Sequence, residues 1–227
     1  MRVPRYVRLL LQPPTLDFET AIWEMVHAVI APRKVFKSMY YRQQTRNQWA
    51  RDDPSFVVLL TLLLVLAAVA WGLAYTPTFG GIIKLILYMV IVDFLAMGVL
   101  ISSVLWFVAS KFLVRPNQNP GTKLEWAYCF DVHCNAFLII YVLLYVVQFV
   151  LLPIIDRDNW TCMFLGNTLY LVALSQYFVV TFVGYSYVPF LQHTDYLLSP
   201  IVGLAVVYVV CLFGVSIPRF MLTRYFY

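Results

Sequence analysis

Asp93 is the one charged residue in the run from Leu85 to Ser110, which makes it the sharpest candidate for chemistry in the chain. It stands about nine residues into that run. At a rise of ~1.5 Å per residue this is near the middle of a bilayer-crossing helix. An ionisable group at that depth costs roughly 2.5–3.5 kcal/mol on insertion scales, so it should face other helices and hold a partner. The candidates are Lys84, Asn135, Gln148, Asn167 and Gln176. Two uses follow: a step on a path for a proton, an ion or a lipid, or an interhelical hydrogen bond from an acid kept neutral by desolvation. A relay needs a series of titratable groups, and the apolar runs offer one, so the hydrogen bond is the expectation.

Asp131 and His133 form the second candidate set. Two residues apart on a helix, they point to nearly opposite sides and do not chelate together. Cys129 and His133 lie at i and i+4 and could share a ligand, but two ligands without a third are a weak metal signal. The better expectation is ion pairing of Asp131 and His133 with Arg51, Asp52 or Lys123, which would pin the N-terminal segment to the following loop. A Ser/His/Asp set can be drawn on paper from Ser55, His133 and Asp131, as it can in many chains. No G-x-S-x-G, P-loop, H-E-x-x-H or G-x-G-x-x-G is present. The four cysteines, Cys129, Cys134, Cys162 and Cys211, show no C-x-x-C pair, so neither a disulfide framework nor a zinc site is expected. No cofactor is expected.

The elements that must hold these residues are set by composition. Hydrophobic residues make up 62% of 227 positions and charged residues 12%, against about 25% charged in soluble domains. So little charge cannot cover a surface facing water, and the excess apolar surface needs a bilayer. Charge-free stretches give five spans of about the 20 residues that cross a ~30 Å hydrocarbon core: about 56–75, 85–108, 134–155, 164–183 and 197–216. Backbone groups in lipid must be satisfied within each segment, and period-two alternation is absent, so the expected fold is all-α, a polytopic bundle of five transmembrane helices. Residues 1–53 form an N-terminal segment, 54–218 the bundle and 219–227 a short tail. The Leu9-Leu10-Leu11 run is too short for a signal-peptide core, so the first span is expected to act as its own insertion signal.

Orientation follows from the basic residues. Nine of the sixteen Lys and Arg precede the first span (Arg2, Arg5, Arg8, Arg33, Lys34, Lys37, Arg42, Arg46, Arg51), and Lys111, Arg115 and Lys123 share that side. Lys84, Arg157, Arg219 and Arg224 fall on the other. The positive-inside rule therefore puts the N-terminus in the cytosol and, after five spans, the C-terminus in the lumen. Trp71, Tyr75, Trp106, Trp126 and Trp160 fall near span ends, where amphipathic rings sit.

Within the cytosolic segment, Phe18, Ile22, Met25, Val26 and Val29 recur at helical spacing behind an Asp17 cap, with Thr20, Glu24 and His27 opposite. Pro32 breaks the run. A second stretch places Val35, Phe36, Met39 and Tyr40 on one face, with Arg33, Lys34 and Lys37 roughly opposite. Such a basic amphipathic segment lies on the membrane interface, packs beneath the bundle or docks a cytosolic protein. Its positives are interleaved with Asp17, Glu19 and Glu24, so no nucleic acid is expected as a partner.

Specific strings add to this reading. Gln48-Trp49-Ala50-Arg51-Asp52-Asp53-Pro54 stands directly before the first span. Glu125-Trp126-Ala127-Tyr128-Cys129-Phe130-Asp131-Val132-His133-Cys134-Asn135-Ala136-Phe137 opens the third. Gly166-Asn167-Thr168-Leu169, Gly184-Tyr185-Ser186 and Pro189-Phe190-Leu191 belong to the fourth and its end. With Pro32-Arg33-Lys34-Val35-Phe36 and Tyr41-Arg42-Gln43-Gln44-Thr45, they resemble the uncoordinated protein 50 family of eukaryotic Golgi membrane proteins, over about residues 20–215. The resemblance implies a five-span, non-enzymatic protein of the Golgi and early secretory pathway, cycling with the endoplasmic reticulum. It implies roles in vesicular trafficking and receptor delivery, and binding of a large guanine-nucleotide exchange factor for Arf GTPases. The expected recruiting face spans residues 17–53 and 111–131, with Arg33, Arg42, Trp49, Arg51, Asp52, Asp53, Glu125, Trp126, Asp131, His133 and Asn135 as its polar cluster. Asp93 and Asn167 are the intramembrane polar positions. The alternative is a small transporter or lipid-moving protein that uses Asp93. Oligomeric state is left open.

Overall fold

A computed structural model describes residues 16–76, 78–116, 123–155, 157 and 159–226. Among them the protein is helical, without strands. Two short helices come first: α1 (Phe18–Ile30) and α2 (Pro32–Arg46). Five helices are long and apolar enough to cross a membrane: α3 (Ser55–Tyr75), α4 (Phe79–Leu113), α5 (Trp126–Ile155), α6 (Trp160–Ser186) and α7 (Thr194–Cys211). A last helix, α8, covers Ile217–Phe226.

Local chemistry sets the boundaries. Asp17 caps α1 by accepting from the Thr20 amide at 3.0 Å. Pro32 occupies the first turn of α2, where its missing N–H costs no bond. Asn47 ends α2 in the left-handed conformation, φ 52°, which asparagine tolerates better than most side chains. Thr78 caps α4 through the Gly81 amide.

The long helices are not uniformly α. Tyr88–Ala96 in α4 and Tyr141–Val147 in α5 are π-helical. Such widened turns are rare and often occur at functional sites. Asp93 lies in the first and Tyr145 in the second.

α5 and α6 form the centre of the bundle. Every residue from Asp131 to Ile139 is buried. Close approach depends on Gly184, where a Cβ would stand 2.9 Å from Val132 and 3.0 Å from Phe36. Small residues of this kind let helices touch where lipid offers no hydrophobic drive to associate. Tyr128 adds a hydrogen bond to the Gly184 carbonyl at 2.7 Å. α7, by contrast, packs mainly on α6 and exposes Val202, Val206 and Val210.

α1 and α2 lie across one end of the bundle. Val35, Phe36 and Met39 of α2 are buried there, as the spacing predicts. The same end is tied by the Arg115 amide to the Phe190 carbonyl and the Gln192 amide to the Leu113 carbonyl. α8 starts at the opposite end and turns back into the bundle. Phe226 stacks on Tyr75 and Trp71, with ring centroids 4.9 and 6.0 Å apart. Residues read from sequence as a tail are thus mostly helical and packed.

Two further expectations need correction. The face of α1 is turned the other way: Ala21, Glu24, Met25 and Ala28 are buried, while Phe18, Ile22, Val26 and Val29 are exposed. Glu24 is drawn inward by two arginines described below. Trp71 is no interfacial ring but a core residue, 4% exposed, donating to the Tyr145 carbonyl at 2.9 Å. Trp106, Trp126 and Trp160 do lie at the surface.

Candidate functional site

The buried charge of the protein gathers where α1 meets the bundle. Arg51, in the link between α2 and α3, is 4% exposed. Its Nε donates to Glu24 Oε2 at 2.7 Å and its Nη2 to Asn135 Oδ1 at 2.9 Å. Its backbone amide donates to Asp131 Oδ2 at 2.7 Å, and Nη1 lies 3.5 Å from Asp131 Oδ1. The guanidinium also sits 4.1 Å over the Phe56 ring. Arg42 completes the group by donating to Glu24 Oε1 at 2.7 Å. Two carboxylates and two guanidiniums thus balance, and the hydrogen bonds offset the desolvation that buried ions incur.

The link between α2 and α3 is held along its whole length. Glu125 accepts the Trp49 amide at 3.1 Å and the Ala50 amide at 3.0 Å, one on each carboxylate oxygen. Asp53 accepts the Ser55 amide at 3.0 Å and the Asp17 amide at 2.7 Å, joining both ends of the segment. Asp52 pairs with Arg46. Trp49 is buried, with its ring edge-on to Tyr128 and Phe190. Asn135 holds its own place by donating to the Asp131 carbonyl at 3.0 Å.

Burial alone would raise the acidity constant of Glu24. The Arg51 and Arg42 guanidiniums outweigh it and hold the carboxyl below its ordinary 4.5. Arg51 is held charged by Glu24 and Asp131 against the same desolvation.

The residues singled out from sequence divide clearly. Arg42, Arg51, Asp131 and Asn135 meet in one cluster, and Trp49, Asp52, Asp53 and Glu125 brace its surroundings. Arg33 is exposed on α2. Trp126 stacks on Phe130 and donates to Ser103 at 3.0 Å, away from the cluster. His133 does not pair with Arg51, Asp52 or Lys123. Its Nδ1 meets the Tyr177 hydroxyl at 2.8 Å, because it faces α6 while Asp131 faces α1. Asn167 lies near the far end, donating to the Val215 carbonyl and accepting from the Ile217 amide, both at 2.8 Å. Glu24 was not singled out from sequence. Its membership is visible only once Arg42 and Arg51 are seen to converge on it.

Asp93 finds none of its five expected partners. Tyr145 donates to its Oδ2 at 3.0 Å, and Tyr225 of α8 donates to the same oxygen. Phenols satisfy a buried acid as well as amides do, and α8 brings one from the end of the chain. Asp93 and His133 both line a cavity of about 390 Å³ inside the bundle. Among the described residues, no group of three or more His, Cys, Asp or Glu side chains is placed to hold a metal ion.

The UNC-50 family model matches residues 6–226. The chain belongs to the UNC-50 family. It is 40% identical to protein GMH1 of Saccharomyces cerevisiae, over 96% of this chain and 84% of that protein. It is 43% identical to the GMH1 homolog of Schizosaccharomyces pombe, over 96% of this chain and 94% of that protein. The unc-50 homolog of Mus musculus is 42% identical, over 90% of this chain and 79% of that protein. No solved structure matches. This UNC-50 family chain is therefore an α-helical membrane protein with five helices able to span a bilayer.

Proposed function

We propose that the protein is a non-enzymatic Golgi membrane protein, exchanging with the endoplasmic reticulum, that supports vesicular trafficking and receptor delivery by recruiting a large Arf exchange factor to its cytosolic face. The observation that carries the reading is the reversed α1. The face that carries Ala21, Glu24, Met25 and Ala28 is locked to the bundle through Glu24 and Arg51, so Ile22, Trp23 and Val26 are presented outward. Ile22, Trp23 and Val26 are 52%, 42% and 49% exposed. Arg33, Lys34 and Lys37 lie exposed on the adjoining α2. A contiguous apolar patch rimmed by charge is the ordinary form of a docking surface. The buried cluster acts here as a mount: it fixes the patch in position, lowering the ordering cost of binding. Membrane lipids cover the outer faces of the five spans, and nucleic acid has no part.

The test compares two variants in solubilised Golgi membranes, with large Arf exchange factors quantified by mass spectrometry after capture of the protein. Ile22→Glu with Val26→Glu alters only the outward face and is expected to abolish recovery of the factor at normal protein levels. Arg51→Ala frees the mount and should weaken recovery too. Full recovery with the double variant removes the reading.

A further inference from the structure

The cavity between α3, α4, α5, α6 and α8 belongs to nothing in the cytosolic-face reading. Its volume of about 390 Å³ falls among small-molecule sites, roughly 300–1,000 Å³. Its walls are mostly apolar and aromatic, including Trp71, Phe137, Phe178 and Phe226. One polar point stands out. Both tyrosine donors to Asp93 meet Oδ2, which leaves Oδ1 to hold a further partner. Two π-helical segments carry Asp93 and Tyr145, so the backbone departs from regular packing on two walls of the same space.

We propose that this cavity binds a neutral, flat, single-hydroxyl lipid of the sterol class, with its hydroxyl on Asp93. Three features select the class. None of the described lining residues is Lys or Arg, so a phosphate headgroup would enter without a counter-charge. A hydroxyl both donates and accepts, so it satisfies Asp93 Oδ1 whether the acid is ionised or neutral. Broad ring faces on several sides favour a flat, rigid ligand, which also loses little conformational entropy on binding. α8 closes the site, since Tyr225 holds Asp93 while Phe226 and Leu222 supply wall.

The full chain in detergent is exposed to a ring-diazirine sterol probe, and labelled peptides are mapped. Labelling is expected on α4, α5 or α8 around Asp93, displaced by unlabelled sterol and not by phosphatidylcholine. Asp93→Ala removes both carboxylate oxygens and should weaken competition by unlabelled sterol about tenfold, the loss of one hydrogen bond of the stronger kind. Leu174→Trp fills the cavity and should abolish the labelling. A thermal melt within a few degrees of the parent shows that each variant is folded. Should the Leu174 variant not fold, the Asp93→Ala titration and the phosphatidylcholine comparison decide. Labelling confined to the outer, lipid-facing surface, equal displacement by phosphatidylcholine, or an unchanged titration in Asp93→Ala each overturns the proposal. None of these outcomes bears on recruitment of an exchange factor.

Discussion

At the scale of the residue, the energetics concentrate on Arg51. It joins the link between α2 and α3 to α1 and α5 at once. Removing one partner of a buried ion pair leaves the others uncompensated, at about 3–5 kcal/mol. Arg51→Ala is expected to lose stability of that order, read as a fall in melting temperature by fluorescence-detected chromatography. Arg51→Lys should recover only part of it, because one ammonium cannot serve Glu24, Asp131 and Asn135 in the planar fork geometry. The cluster also carries a pH signature. Glu24 titrates below its ordinary value of 4.5 in the folded protein. A depressed acid contributes its stability in full above the unfolded value and loses it as pH falls through the folded one. The part of the melting temperature that Glu24 supplies should therefore hold from pH 7 to about 5 and drop below 4.5. The drop should be shallower in Glu24→Gln, whose amide has no proton to gain. An equal drop in both proteins removes Glu24 from the account.

At the scale of the element, the glycines give a clean contrast. A Cβ at Gly184 would press on Val132 and Phe36 at 2.9 and 3.0 Å, whereas one at Gly203 meets nothing within 4 Å. Gly184→Ala should therefore cost about 1–3 kcal/mol by overpacking the α2, α5 and α6 junction. Gly203→Ala on lipid-facing α7 should be neutral or slightly stabilising. Equal effects at both positions would mean that the junction yields freely. The same elements show what a sequence can disclose. Asp17, Pro32 and the charge-free runs mark helix ends because capping, ring geometry and lipid solubility are local properties. The inward face of α1 is not local. Glu24 is buried only because Arg42 and Arg51, from 18 and 27 residues away, converge on it. α8 stays hidden for a related reason: Arg219, Thr223 and Arg224 dilute its hydropathy, and its partners Trp71, Tyr75 and Asp93 lie more than a hundred residues earlier. Asp93 is held by the phenols of Tyr145 and Tyr225 and not by an amide or lysine, because α8 brings Tyr225 back from the far end of the chain. Widened π turns leave no mark in hydrophobic periodicity at all.

At the scale of the whole molecule, everything rests on an odd number of crossings. α3 to α7 alternate direction, so the end that carries α1, α2 and the Leu113–Gln192 tie is opposite the end that carries Trp160 and the start of α8. In the proposed layout the first end is the cytosolic one, since Arg33, Lys34, Lys37, Lys111 and Lys123 all gather there and positive residues favour that side. Packing makes the arrangement hard to reverse locally: turning α1 and α2 to the other side would strand Glu24 and leave Arg51 and Asp131 buried without it. Exposed positions report the layout directly. Lys37 and Asn159 are both exposed, one at each end. Cys129, Cys134 and Cys162 are buried, and Cys211 is half-buried and can be replaced by serine. In sealed vesicles of the membrane that carries the protein, prepared with the cytosolic face outward, Lys37→Cys should react with an impermeant maleimide before detergent is added. Asn159→Cys should react only afterwards. Labelling of both positions before permeabilisation would require an even number of crossings between them, and α3, α4 and α5 could not then all span the bilayer.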